Sequence, residues 1–278
     1  MLITIVVIIL LLIIGYIFPL LETSKLPKIT ISRNFNNQTI LLHRVWHNKY
    51  VNNKMFQNCH QKWLDLNPNI CQVWYDFRDC EKLIAETQEP IVLECYKKLK
   101  PLAFKADLFR LCVLYKYGGV YVDASSKPFV SIKEMIKGCQ SQNTFISVLD
   151  CKSSNYGIHN GLIISVPKHP FLKAAIKEIV NNVSKKLYME HYLAITGPIC
   201  LKKSLKTFLQ TTKCFREGWN DFGNLSFYLY KFKHFPKQHI CKKNKTIICK
   251  KHCFFSFITN KLHTSNYIQM WYMNNIYN

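Results

Sequence analysis

The chain has 278 residues, with 38 Lys+Arg against 16 Asp+Glu and a formal charge of +22. At 49% hydrophobic and 14% aromatic, with only 9 Gly and 10 Pro, it is neither intrinsically disordered nor collagen-like nor low-complexity. Its length suits one large domain or two small ones, with ample chain for a core.

Of the basic residues, 33 are Lys and 5 are Arg. Nucleic-acid readers draw on Arg for its planar fork, so the lysine excess does not by itself name a nucleic acid. The accompanying Asn, Ile, Tyr and Phe are also what A+T-rich coding produces. A basic face attracts a nucleotide diphosphate as well as it attracts DNA.

Residues 1–21 carry no charge. A run of about 20 apolar residues at 1.5 Å rise crosses a ~30 Å hydrocarbon layer, which predicts a transmembrane anchor. No basic leader or small-residue cleavage site accompanies it, although a cleaved signal or a buried helix are the alternatives. Lys25, Lys28 and Arg33 follow the span and favour a cytosolic body on charge alone. Four Asn-x-Ser/Thr sequons (Asn37, Asn182, Asn224, Asn244) and an even count of 12 cysteines favour a lumenal, Golgi- or ER-like, or extracytoplasmic body instead. The latter is the expectation. Residues 22–38 are polar, contain Pro27 and show no periodicity, so they read as a short stem.

From Thr39 the pattern changes. Ile40, Leu41, Leu42, Val45 and Trp46 form a run typical of a buried strand. Met55, Cys59, Trp63 and Leu66 keep helical spacing up to Asn67-Pro68, and residues 70–74 suit a second strand. Strands alternating with helices predict one α/β domain over 39–278 with a largely parallel sheet.

Residues 103–129 read AFKADLFRLCVLYKYGGVYVDASSKPF. Leu102, Leu108, Leu111, Cys112 and Tyr115 predict an amphipathic helix, and Gly118-Gly119 a left-handed cap that ends it. Val120, Tyr121 and Val122 form a short strand with Asp123 at its carboxyl end, where open α/β sheets collect ligands. Asp107 and Arg110 lie three apart on one helical face. A carboxylate and a guanidinium on the helix, with a second carboxylate at the strand tip, suit a sugar hydroxyl, a phosphate and a divalent metal together. Taken alone, the same residues also read as a surface ion pair and a turn aspartate.

This segment resembles the signature of sugar-nucleotide glycosyltransferases with an Asp-x-Asp motif. That superfamily includes fungal initiating mannosyltransferases, capsular-polysaccharide transferases and glucosylating toxins. Its pattern is Ala-x-x-Asp-x-x-Arg, an apolar helix, Tyr-Gly-Gly, an apolar strand and Asp-x-Asp. Further stretches agree in order. ILLHRVWHNK resembles the opening nucleotide-binding strand, and Trp63 with Asn67-Pro68 and Val73-Trp74-Tyr75-Asp76 the next helix and strand. His159-Asn160-Gly161 with His169-Pro170, and Thr196-Gly197-Pro198, resemble the family's Asn-Gly, His-Pro and Thr-Gly-Pro elements. His263 with Trp271 is similar to a C-terminal His and Trp that close the site.

The resemblance implies a GT-A-like (Rossmann-like) single catalytic domain that moves a sugar from a nucleotide-diphosphate sugar to a glycan, glycoprotein or lipid acceptor, with retention of configuration. It implies Mn²⁺ or Mg²⁺ at the motif. Here, however, the motif reads Asp123-Ala124-Ser125, so the second carboxylate is missing. Hard cations prefer carboxylate oxygens, and a serine hydroxyl is a weaker ligand. Metal could be held by Asp123, Ser125 and His263, metal dependence could be weak, or catalysis could be lost. Asp107, Arg110 and Asp123 are the expected catalytic groups. Val45, Trp46, His47, Tyr121, Val122 and Asn160 complete the expected donor pocket.

Cys241, Cys249 and Cys253, with His239 and His252, match no standard zinc spacing and read more readily as disulfide partners. The basic stretch 237–252 reads as a solvated face. Two other classes compete: a membrane-tethered homologue that binds sugar or nucleotide without turnover, favoured by Ser125, and a basic nucleic-acid-binding protein. Scarce arginine and the apolar N-terminus speak against the second, and no nucleic-acid partner is expected.

Overall fold

Short apolar runs form strands, and longer periodic ones helices, in the computed structural model. It describes residues 39–46, 54–137, 144–150, 157–223, 225–234, 238–250 and 267–278, all within the unit Ser32–Asn278. The expected anchor and stem, His47, His263 and the sequons at Asn37 and Asn224 lie outside the described residues. No helix among the described residues is long and apolar enough to cross a membrane.

The elements run β1 (Ile40–Val45), α1 (Lys54–Leu66), β2 (Ile70–Tyr75), α2 (Phe77–Thr87), α3 (Pro90–Lys98), α4 (Leu102–Tyr117), β3 (Gly119–Val122) and β4 (Ser126–Pro128). There follow α5 (Ile132–Met135), β5 (Phe145–Asp150), β6 (Gly157–Ser165), α6 (Pro170–Ser184), α7 (Pro198–Phe208), β7 (Gly218–Asp221), β8 (Ser226–Lys233), β9 (His239–Lys242), β10 (Lys245–Lys250) and α8 (Tyr267–Tyr272). Helix starts follow local chemistry. The Asp76 carboxylate accepts from the Arg78 and Asp79 amides in a capping box, and His169 Nδ1 accepts from the Phe171 amide with Pro170 in the first turn.

One sheet runs in the order β2-β1-β3-β6-β5-β8-β9-β10-β4, with β7 beside β8. Only β1–β2, β1–β3 and β5–β8 pair in parallel among the described strands; the others are antiparallel. The sheet is therefore mixed, not largely parallel. What overturns the expectation is β6, which runs against both its neighbours, and the β9–β10 hairpin. That hairpin turns on Lys243 and Asn244 at φ 45 and 66, so most of the basic stretch taken for a solvated face is strand. The directions still place the carboxyl ends of β1, β2, β3, β5 and β8 along one edge.

Apolar side chains cover both faces. One cluster packs α2, α3, α4, α6 and α7 against the sheet, and the other packs Trp63 of α1 and Ile132 and Met135 of α5 against Leu42, Val122 and Val148. Residues 108–114 are all buried, so α4 is a central helix and not the amphipathic one its spacing suggested. At its end Gly118 has φ 65 and ψ −159 and Gly119 has φ 95. This is the mirror-β conformation that only glycine adopts readily, and not the left-handed helical cap. A Cβ on Gly118 would meet Pro167 Cδ at 2.6 Å, and one on Gly119 the Leu41 carbonyl oxygen at 2.5 Å.

The cysteines differ from expectation. Among the described residues Cys71, Cys80, Cys95, Cys112, Cys200, Cys214 and Cys241 are free thiols, most of them buried, and Cys253 lies outside the described residues. Asn182 is also buried, at 1% exposure, with its Nδ2 donating to the Ile195 carbonyl, so the folded chain does not offer that sequon for modification. Asn244 lies exposed on its hairpin turn.

Trp63 is fully buried, and its indole N–H donates to the Ser126 carbonyl at 3.0 Å. Trp63→Ala is predicted to lower stability by about 3–5 kcal/mol, read as a fall in urea midpoint at unchanged slope.

Candidate active site

The reversal at Gly118-Gly119 makes α4 run back along β3. Asp107 lies about 16 Å from the reversal at 1.5 Å per helical residue, and Asp123 lies about 16 Å from it at ~3.3 Å per strand residue. The two carboxylates therefore meet at one height, at the sheet's carboxyl edge.

Arg110 joins them. Its Nη2 lies 3.0 Å from Asp107 Oδ1 and its Nη1 lies 3.4 Å from Asp123 Oδ1. Nη1 also donates to the Asn160 carbonyl, Nε donates to the Ala106 carbonyl at 3.1 Å, and the guanidinium carbon sits 4.6 Å above the centre of the Tyr121 ring. The Arg110 and Asp107 side chains are 7% and 12% exposed, so this is a buried pair and not a surface one, whereas Asp123 is 27% exposed. Burying a guanidinium is costly, and such partners offset that cost.

Asp107 is held in turn. Its Oδ1 accepts from Asn160 Nδ2 at 2.8 Å and its Oδ2 from the Thr196 hydroxyl at 2.9 Å. Thr196 opens the Thr196-Gly197-Pro198 turn, which packs under the start of β6: a Cβ on Gly157 would meet Pro198 at 2.7 Å. Burial pushes the Asp107 carboxyl up to about 6; Arg110 and Thr196 pull it back, and the like charge of Asp123 adds to the rise. Burial also opposes the charge on Arg110, but Tyr121, Asp107 and Asp123 together leave its pKa raised.

The loop after β3 is clamped at both ends. The Asp123 amide donates to the Gly161 carbonyl at 3.1 Å, and the Ser126 amide donates to the Asp123 carbonyl at 3.0 Å. The Ser126 carbonyl then accepts from Trp63 Nε1 and from Arg44 Nη2, the latter at 3.3 Å, and the Ser125 carbonyl receives the Cys59 thiol at 3.7 Å. Arg44 is wholly buried between the Trp63 and Trp74 rings, at 5.8 and 5.0 Å, and its Nε and Nη1 have no hydrogen-bond partner among the described residues. Burial lowers its pKa to about 10.

Gly161 sets the approach from the other side. A Cβ there would lie 2.6 Å from Asp123 Oδ2 and 2.4 Å from His159 Cε1. Asp123 thus turns one oxygen to Arg110 and the other past Gly161 toward His159.

Of the residues the sequence pointed to, the structure brings Asp107, Arg110, Asp123 and Asn160 into one bonded cluster. Tyr121 is buried beneath Arg110, so it backs that side chain instead of facing a ligand. Val45 and Val122 are core side chains that leave only their backbone near the edge. Trp46, just past β1, is half-buried, its ring 4.6 Å from that of Phe56 and its amide donating to the Tyr75 carbonyl. Ser125 stands half-buried in the clamped loop. His43 of β1 is structural: wholly buried, it donates from Nε2 to the Gly118 carbonyl and accepts from the Tyr75 hydroxyl at Nδ1, and burial lowers its pKa to about 4.

Sequence reasoning missed three groups. Trp63, Arg44 and Cys59 hold backbone carbonyls, which leave no residue signature. Thr196 was quoted only as part of a turn. Tyr267 of α8 packs on Phe104 and Tyr192, at 5.7 and 5.5 Å, close enough to Asp107 and Asp123 for their charges to help burial push its hydroxyl up to about 12. The aromatic spacing of Tyr267 and Trp271 was its available signal.

Among the described residues no group of three His, Cys, Asp or Glu could hold a metal ion. The donor set of Asp123 with Ser125 suits a hard cation of the Mg²⁺ or Mn²⁺ type that takes one protein carboxylate and completes its shell with phosphate and water.

The chain is similar to several known proteins. Residues 53–146 match the family model described as a glycosyltransferase sugar-binding region containing a DXD motif. A mannosyl phosphorylinositol ceramide synthase of Saccharomyces cerevisiae is 28% identical over 154 residues, covering 53% of this chain and 37% of that protein. The inositol phosphoceramide mannosyltransferase 2 of Schizosaccharomyces pombe is 25% identical over 167 residues, covering 58% and 44%. The chain thus spans less than half the length of these two relatives. Among solved structures, the UDP-bound glycosyltransferase domain of the YGT toxin aligns at a TM-score of 0.44 and 11% identity, covering 61% of this chain and 77% of that one.

The Asp107 environment sets a pH dependence. The folded chain binds the Asp107 proton more tightly than the unfolded chain does, so stability falls as pH rises from about 4 to about 6, by on the order of 3 kcal/mol. Asp107→Asn removes that part of the slope, which urea unfolding across the same pH range reads directly.

Proposed function

We propose that this chain, which carries the glycosyltransferase sugar-binding region of the DXD class, transfers a hexosyl group from a nucleotide-diphosphate sugar to an acceptor hydroxyl. The observation that carries the reading is the buried Asp107–Arg110–Asp123 cluster at the carboxyl edge of the sheet, within and beside a clamped loop. The names of the relatives point to a mannosyl donor and to an acceptor bearing inositol on a lipid, within the wider class of glycan, glycoprotein or lipid acceptors.

In this reading residues 39–278 form one GT-A-like catalytic domain, and residues 1–21 anchor it to a membrane, with the domain on the lumenal side. The base and ribose lie at the ends of β1 and β3, against Trp46 and the backbone of Val45 and Val122, with His47 adjoining. Arg110, held by Asp107 and Tyr121, presents fixed positive charge where the donor sugar meets its diphosphate. Its pre-set position supports charge developing on the leaving diphosphate without reorganisation. Asn160 orients Asp107 and borders the donor sugar. Mn²⁺ or Mg²⁺, when bound, would neutralise diphosphate charge, with Asp123 and Ser125 as its protein ligands and His263 as a further candidate. Family resemblance supports retention of configuration.

A second reading, a sugar- or nucleotide-binding homologue without turnover, draws on one observation: Ser125 leaves Asp123 as the motif's sole carboxylate.

The test is nucleotide release by the full chain from a panel of GDP- and UDP-sugars, with and without Mn²⁺. Release from one donor, strengthened by Mn²⁺ and reduced at least 100-fold by Asp123→Ala, is the expected result. Silence across the panel from folded protein that still binds nucleotide would favour the second reading.

Gly161→Ala is predicted to lower donor cleavage at least tenfold in a folded protein. Its methyl group would occupy the space taken by Asp123 Oδ2 and His159, and the circular-dichroism spectrum should remain that of the parent.

A further inference from the structure

The carboxyl edge holds a second polar pair that the donor reading does not use. His234, just past β8, places Nε2 2.8 Å from Oδ1 of Asp150, the last residue of β5. The two side chains are 22% and 17% exposed. The parallel register sets Asp150 opposite Phe232, and His234 follows Phe232 by two residues on the same side of the strand.

Their surroundings fix the imidazole. The Phe232 ring meets His234 edge-on at 4.8 Å and 84°, and stacks face to face on His159 at 4.4 Å and 16°. A carboxylate oxygen is acceptor-only, so Nε2 carries the proton in this bond. Nδ1 of the neutral ring is then an acceptor, and no described residue bonds to it. The dyad thus offers one oriented lone pair at the edge of the sheet.

A continuous row of contacts joins it to the donor site. Asp123 Oδ2 and His159 Cε1 both approach the same point beside Gly161, at 2.6 and 2.4 Å. From His159 the row passes through Phe232 to His234 and Asp150. Three strand spacings of ~4.8 Å separate β3 from β8, roughly 14 Å.

We propose that Asp150 and His234 form an acceptor subsite, in which His234 Nδ1 receives a hydrogen bond from a hydroxyl of a neutral polyol, a sugar or an inositol ring. This rests on the transferase reading and extends it from donor to acceptor. Asp150 acts through His234 by holding its tautomer and ring orientation.

The experiment measures donor cleavage and product formation together in the full chain, with methyl α-D-mannoside and myo-inositol as acceptor probes. Parent, His234→Gln, His234→Ala and Asp150→Asn are compared at saturating donor. The proposal expects transfer to at least one probe by the parent. It further expects the acceptor KM to rise, and the ratio of transfer to hydrolysis to fall, at least tenfold in His234→Ala and Asp150→Asn. His234→Gln, whose amide oxygen still accepts, recovers part of the loss. Parent protein that cleaves donor but transfers to neither probe overturns the subsite, as does a ratio and acceptor KM within twofold of the parent in both variants. A parallel fall of hydrolysis and transfer overturns it too, because it marks a structural role. Parent protein that cleaves no donor fails earlier and removes the transferase reading itself.

Discussion

A buried guanidinium organises this molecule. Arg110 is nearly inaccessible to water, and a desolvated cation is strongly unfavourable unless carboxylates and carbonyls surround it. Its partners come from four places in the chain: Ala106 and Asp107 on its own helix, Asp123 beyond β3, Asn160 on β6 and, through Asp107, Thr196 before α7. The electrostatic need of one side chain therefore fixes how the central helix, two strands and a turn meet. The apolar layers above and below could tolerate other packings of similar volume. The charge network could not, because each misplacement would leave a buried polar group unpaired.

The clamped loop extends the same logic to backbone groups. Asp123 is held through its amide and carbonyl, and the carbonyls of Ser125 and Ser126 are held by Cys59, Trp63 and Arg44. The side chain of Asp123 is left as the partly exposed group, with its two oxygens facing different neighbours. Such a loop arrives at its ligand already ordered, so little conformational entropy is lost on binding. The cost sits beneath it, in Arg44, whose two unpartnered donors are offset in part by the flanking indole faces.

Much of this was legible in the sequence, and the limits have physical causes. Strand β1, helix α1, strand β2, helix α4 and strand β3 follow from local periodicity, and Asp107, Arg110 and Asp123 from their spacing around the glycine pair. The direction of the sheet did not follow, because it depends on β6 and on a hairpin formed far along the chain, and pairing direction has no local pattern. Helix α4 was misjudged because Asp107 and Arg110 count as solvent positions in any amphipathic pattern, although together they are a satisfied core. The cysteine count suggested cross-links, whereas Cys80, Cys95, Cys112, Cys200 and Cys241 are buried free thiols that pack as small apolar side chains. Likewise the sequon at Asn182 is a helix residue whose amide closes onto Ile195. Composition registers residue types; it does not register what they face.

The strand that leaves the Asp123 loop has a distant partner. β4 spans only Ser126–Pro128 and pairs with β10, so Ser126 lies opposite Lys250 and Pro128 opposite Ile248. The loop's entry is secured by β3 between β1 and β6, and its exit first by Trp63 and Arg44 and then by β10, more than a hundred positions further along the chain. Contacts of such sequence separation form slowly, since a long loop must close before they are rewarded. During synthesis the sheet's first strands can therefore assemble while the Asp123 loop still lacks its far anchor. The loop's strand partner is therefore in place only once the β9–β10 hairpin has formed, so the far end of the chain completes the frame around Asp123.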